Sequence, residues 1–415
     1  MSSPTRVGGR RAGRAAPVRA PLLLLAIFLV ALNLRAALAS MPPLIHTIQH
    51  DLAISSSLAG LLTTLPVLCM GIFAPLSQRL AHAIGREATV AVALGCVLSG
   101  LLLRLGGAVL PLLLLSALLA GIGIALCGTV LPGIVKEFFA GRPGLVTGFY
   151  LLAMMLGATA ASALAVPLAD ALGSWQRSSA SWAVLAVLGL AVWLPVLRAV
   201  NDRDDPQQLS AAPARAGSAS QPLPWRSRTA WLLAAYLALQ SCGFYSQLAW
   251  IPPSYEDRGW SARDAGLLLA LWSIVQLVSG LLGPALADRM DDRRPIVAAA
   301  VCLNLAGVLG VATAPDAAPI LWVALMGLGQ GGGFALGLVK LIDYAPSPAA
   351  SARLSAMVFL FSYSTASLGP LVFGALHDAA GGFTLPYALL AGLCVVQLVL
   401  TPRLRPGRLT EPLLS

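Results

Sequence analysis

Twelve apolar runs, each near the roughly 20 residues a helix needs to cross a bilayer, alternate with short charged and turn-forming clusters. They fall at 21–42, 56–78, 88–107, 109–135, 144–168, 180–198, 229–252, 263–286, 295–314, 318–341, 351–376 and 383–401. Runs of that length predict an all-α membrane protein, because backbone amides in lipid must be bonded within a helix or a closed barrel. The first run follows Arg6, Arg10, Arg11, Arg14 and Arg19, as the apolar part of a secretory signal would. Its length, and Asn33 and Arg35 within it, predict a retained span instead.

A polar stretch at 201–228, with Asp202, Asp204, Asp205 and Pro206, parts the chain into six-span bundles at 21–200 and 229–402. A basic tail, 1–20, precedes the first bundle, and a tail at 403–415 follows the second. The halves repeat one another. Gly123, Gly128, Gly133 and Lys136 recur 204 positions later as Gly327, Gly332, Gly337 and Lys340. Pro42-Pro43, expected to end the first span, answers to Pro252-Pro253, expected to end the seventh. Ala59-Gly60-Leu61-Leu62 answers to Ala265-Gly266-Leu267-Leu268. This is the pattern of parallel repeats related by an axis along the membrane normal. The spaced glycines serve close helix packing, freedom beside a central cavity, or both.

Composition agrees: 58% of the 415 residues are hydrophobic and 11% charged, against about 25% charged in soluble proteins. If the amino terminus is cytoplasmic, all lysines and arginines but Arg35, Arg104, Arg177, Arg258 and Arg263 fall in cytoplasmic segments or at their edges. Cytoplasmic loops retain such charge, so both termini are expected inside, in a bacterial inner membrane. The +10 net charge reads as topology and contact with anionic lipid, and nucleic acid is not an expected partner. Cys69, Cys96, Cys127, Cys242, Cys302 and Cys394 sit singly in apolar runs, and His46, His50, His82 and His377 lie in or beside different loops. Neither set predicts a metal site, although His46 and His50 would align if their segment were helical. No cofactor is implied. No grouping of paired acids, or of His with Ser or Cys, predicts catalysis, and no Gly-rich loop ending in Lys-Ser or Lys-Thr predicts ATP use. A transporter is expected, not an enzyme or receptor.

Leu32-Asn33-Leu34-Arg35 before Pro42-Pro43, Arg104, and Val130-Leu131-Pro132 with Lys136 form one set of motifs. Gln240, Phe244-Tyr245, Ala249-Trp250-Ile251-Pro252-Pro253, Gly327-Leu328-Gly329-Gln330-Gly331-Gly332, Gly369-Pro370 and Leu376-His377-Asp378 extend it. In these the chain resembles the major facilitator superfamily, and more narrowly its cyanate-permease group. The resemblance implies twelve helices in two six-helix bundles related by pseudo-two-fold symmetry, working as a secondary active transporter by alternating access. It implies a small anion such as cyanate as substrate, or export of small flat heterocycles of the nitroimidazole kind. The loop after the second helix is degenerate in the first half, Gln78-Arg79 then Gly85-Arg86. It is fuller in the second, Asp288-Arg289 then Arg293-Arg294.

Arg35 is the leading candidate for substrate contact. It lies fourteen residues past Pro21, about 21 Å along a helix and so a little past the middle of an approximately 30 Å core. A guanidinium there is costly and needs compensation, and no acid lies deep in any apolar run. Its planar fork suits a small anion, while a structural pin that bonds helix carbonyls is the other reading. Helical spacing adds Tyr236, Gln240, Phe244 and Gln247, Trp272 with Gln276, Gln330 with Phe334, Tyr363 with Ser367, and Tyr150 with Met154 as wall candidates, and the shared motif adds Tyr245 beside Phe244. Asn33 ranks lower because it points largely away from Arg35. Arg104, Lys136, Asp288, Arg289 and Lys340 are expected at gates or as topological anchors. Protons are a candidate coupling ion, no central carboxylate being available to carry them, and a monomer is expected.

Overall fold

The computed structural model describes residues 20–139, 143–201, 223–344 and 348–404. Among these, all regular structure is helical. The first half holds α1 (Ala20–Ala39), α2 (Ile45–Leu52), α3 (Ser56–Ile84), α4 (Arg86–Leu103), α5 (Leu110–Phe138), α6 (Pro143–Leu172), α7 (Trp175–Ser181) and α8 (Ala183–Asn201). The second holds α9 (Arg228–Glu256), α10 (Ala262–Ala287), α11 (Arg294–Thr313), α12 (Pro319–Asp343), α13 (Pro348–Ala366), α14 (Leu368–Ala380) and α15 (Thr384–Leu400).

Among the described residues, eleven stretches are long and apolar enough to cross a membrane. The twelfth crossing is α9, whose 29 residues reach across but include Gln240, Ser241, Ser246 and Gln247, all buried. Its polar groups face protein, so lipid never has to solvate them. Helix starts follow from the sequence: the hydroxyls of Ser55, Ser227 and Ser261 accept from the amides of Leu58, Ala230 and Asp264, at 3.3, 3.2 and 3.1 Å. These caps satisfy amides that have no partner within the helix. Gly85, at φ +90°, makes the tight turn between α3 and α4.

Three boundaries differ from the sequence expectation. Pro42–Leu44 is a 3₁₀ turn after α1, whereas α9 continues through Pro252 and Pro253 to Glu256. Packing explains the continuation, since residues 248–255 are all buried and the Trp250 indole donates to the Pro370 carbonyl at 2.9 Å. The apolar run 351–376 is two helices, α13 and α14, parted at Ser367. Pro370 sits in the first turn of α14, where its missing amide costs nothing. The third is the segment of His46 and His50, which forms α2. Linker residues 202–222, the basic tail before residue 20 and the tail after 404 lie outside the described residues.

Of the six repeated glycines, Gly123, Gly327 and Gly337 serve close packing, whereas Gly128 has open space beside it. A Cβ on Gly123 would lie 2.5 Å from the Ala93 carbonyl of α4, and one on Gly327 would lie 2.8 Å from the Trp272 carbonyl of α10. Between bundles, α3 packs on α13 and α14, and α6 packs on α10.

Candidate functional site

A small pocket lies between the bundles. Arg35, Leu38 and Met155 line it from the first bundle, and Phe244, Trp272 and Gln276 from the second. Arg35 sits one turn before the end of α1 and holds its guanidinium carbon 4.9 Å from the centroid of the Phe244 ring, a cation–π distance. Among the described residues no carboxylate pairs with it, and none of the lining residues is acidic. The pocket therefore carries a lone positive charge against an aromatic wall.

That wall is braced from behind. Phe244 packs on Trp272 with centroids 5.1 Å apart and edge-on to Tyr245 at 4.9 Å. The Trp272 indole donates to Gln247 Oε1 at 3.1 Å, and the Gln247 amide donates to Asn304 Oδ1 at 2.9 Å. A fixed indole fixes the phenyl ring beneath the guanidinium. Tyr245 and Tyr363 face each other at 6.3 Å, and both, with Tyr150, lie within electrostatic reach of Arg35. Gln276 is buried, and its Nε2 has no partner. An unpaired buried amide on a residue that lines a cavity is costly.

Other predicted wall residues lie elsewhere. Gln240 donates to Gln330 Oε1 at 2.7 Å and accepts from the Gln397 amide at 2.7 Å, a three-amide knot inside the second bundle. Phe334 packs with the apolar cluster of that bundle around Tyr236 and Leu237. Asn33 bonds the carbonyls of Leu29 and Leu185, both at 2.8 Å, and so ties α1 to α8. Arg104 is 3% exposed and donates to the Ala37 carbonyl at 2.7 Å and Ser40 Oγ at 3.0 Å. It caps the end of α1, two residues beyond Arg35, as a buried anchor. Lys340 is buried and engaged. Asp288 pairs with Arg293 at 2.9 Å, Arg289 is exposed beside it, and the Lys136 side chain lies outside the described set.

The family model of the Major Facilitator Superfamily matches residues 23–325 and 254–413, which together span nearly the whole chain. The chain belongs to the major facilitator superfamily. This transporter is 33% identical to the cyanate transport protein CynX of Escherichia coli over 390 residues, 94% of this chain and 98% of that one. It is 31% identical to the 2-nitroimidazole transporter of the same organism over 381 residues, 91% and 93% of the two chains. Its fold matches the inward-open xylose transporter XylE of E. coli with a TM-score of 0.72 at 14% identity, covering 94% and 97% of the chains.

The transporter also has a polar cluster at the end where α2 lies, whose members His46, His377 and Asp378 the sequence singles out without grouping them. His46 Nε2 stands 2.8 Å from Asp257 Oδ1, and His377 Nε2 stands 3.2 Å from Asp257 Oδ2. His377 Nδ1 is 3.0 Å from Ser56 Oγ. Asp378 accepts from the amides of Ser56 and Ser57 at 2.9 and 2.8 Å and from the Ser57 hydroxyl at 2.6 Å, across the bundle interface. No spacing rule links positions 46, 257 and 377. Only the fold joins them.

Proposed function

We propose that this transporter carries a small flat anion, cyanate or one of similar size, across the bacterial inner membrane, with both termini in the cytoplasm. The observation that carries the reading is Arg35, a cation held between the bundles over the Phe244 ring with no acid paired to it among the described residues. Such a charge is stabilised by a visiting anion. The guanidinium fork supplies parallel donors to it, Gln276 offers a donor from the opposite bundle, and Phe244 and Trp272 supply a face for a planar ligand. Binding groups from both bundles let the occupied pocket draw the halves together, as alternating access requires. The transporter CynX, named for cyanate, and the uneven placement of arginines support this reading of substrate and orientation.

Uptake of labelled cyanate into proteoliposomes tests the site. Charge-assisted hydrogen bonds contribute roughly 1.5–3 kcal/mol, so Arg35→Ala is expected to weaken apparent affinity about 10- to 150-fold. Arg35→Lys keeps the charge without the fork and is expected to fall between. Unchanged uptake by Arg35→Ala would remove the anion site from this pocket.

The Phe244–Trp272 face supports a second reading, a flat neutral heterocycle, in keeping with the similarity to the 2-nitroimidazole transporter. Under that reading Phe244→Ala abolishes transport and Arg35→Ala leaves most of it. Protons as coupling ion are part of the proposal only as bound outside this pocket, whose lining has no acid.

A further inference from the structure

We propose that His46, Asp257 and His377 form a proton-binding latch between the bundles, and that acid favours its closed form. The latch rests on alternating access and not on the Arg35 reading. The orientation proposed above decides only that external pH acts on it.

Asp257, just past the end of α9, is held between two imidazoles. His46 comes from α2 in the first bundle, and His377 comes from α14 in the second. The pair His46–Asp257 therefore crosses the interface, as does the contact of His377 with Ser56 at the start of α3. Neutral His377 can donate one N–H to Asp257 and accept from the Ser56 hydroxyl at its other nitrogen. Protonation of His46 places a positive charge beside the carboxylate of the opposite bundle and strengthens the pair that crosses the interface. Opening would carry His46 and Ser56 away from the Asp257 group. The closed form thus binds protons more tightly than the open one. By linkage, closure is strongest below the histidine range and weakens as pH rises through it.

The surrounding groups leave this sign intact. From α2, His50 and Asp51 turn elsewhere, Asp51 accepting from the Trp175 indole at 2.8 Å. From α9, Arg258 bonds the Ser254 carbonyl and lies over the Tyr255 ring. Glu256 is next to Asp257 in the chain, and its Oε1 is buried without a hydrogen-bond partner. From α14, Asp378 is engaged by Ser56 and Ser57. The Phe383 ring packs at 4.3 Å and Trp250 at 6.5 Å against His377, screening it on its inner side. His46, Asp257 and His377 keep side-chain exposures of 39, 33 and 20%. Protons therefore enter and leave from one face, and they bias the conformational equilibrium without being carried across.

The test places spin labels on the full-length protein at His50→Cys and Ala379→Cys, both exposed, with the six native cysteines replaced by serine or alanine. Distances across the interface are read by double electron–electron resonance without substrate, so failure of cyanate to bind leaves the result interpretable. Exposed ion pairs are individually weak. The one that crosses the interface, His46–Asp257, is expected to raise the ratio of long to short distances about four-fold from about pH 5.5 to about pH 8. His46→Gln with His377→Gln is expected to hold that change below roughly two-fold, while Glu256→Gln retains most of it. If the double variant does not purify as a single species, Asp257→Asn, which keeps both imidazoles, is read in the same way. A pH response that survives loss of the histidines, one abolished by Glu256→Gln alone, or a ratio that does not move with pH overturns the proposal.

Discussion

Gly60 offers a direct test of how the bundles close. A Cβ added there would lie 2.7 Å from the Pro370 carbonyl oxygen, 3.1 Å from its carbon and 3.2 Å from the Leu371 Cα. All three are backbone atoms of α14, in the opposite bundle, so no flexible side chain can yield. Overpacking of this kind costs about 1–3 kcal/mol, here charged only to the conformation in which α3 and α14 touch. Gly60→Ala should therefore lower the ratio of closed to open forms at this end by about 5- to 150-fold. The same pair of labels reads that ratio. Gly100 is the control, since a Cβ there would meet the Ser116 carbonyl at 2.7 Å and the Ala120 amide at 2.8 Å, both in its own bundle. Gly100→Ala should lower the Tm without moving the distance distribution. If Gly60→Ala lowers Tm as Gly100→Ala does and leaves the distances alone, the contact is static packing and the reasoning fails.

Arg104→Met should cost roughly 2–4 kcal/mol in stability, because it strips the Ala37 carbonyl and Ser40 hydroxyl of a buried charged donor. Thermal melting in detergent measures it, and an unchanged Tm would mean that α1 does not depend on that cap. Gln276→Leu should raise the KM for cyanate about 10- to 150-fold, the worth of one hydrogen bond to an anion, with Tm held or raised because the unpaired amide is gone.

Apolar periodicity made the membrane crossings legible because lipid imposes one rule on every backbone amide. It also exposed Arg35, since an ionised group in such a run is costly wherever the helix turns. The walls were less legible. Tyr236, Gln240, Phe244 and Gln247 share one stripe of α9, yet Phe244 reaches the pocket while Gln240 bonds Gln330 and Gln247 bonds Asn304. Spacing along a helix fixes which residues share a face, but not whether that face meets a cavity or a neighbouring helix. Asn304 and Gln397, which complete those amide pairs, lie in helices where a lone polar residue carries no periodic signal. The grouping of His46, Asp257 and His377 is longer-range still, set by the packing of α2 and α14 against the end of α9.

The uneven division of the pocket has a consequence for cargo release. Its full charge belongs to α1, while the facing wall of Phe244, Trp272 and Gln276 is neutral. An occupant held chiefly by that charge stays with one half of the molecule throughout the cycle, and the other half slides past it as a shutter. Which solute is accepted is then decided by the stationary partner, whereas the rate of escape is set by how fast the uncharged leaf moves aside.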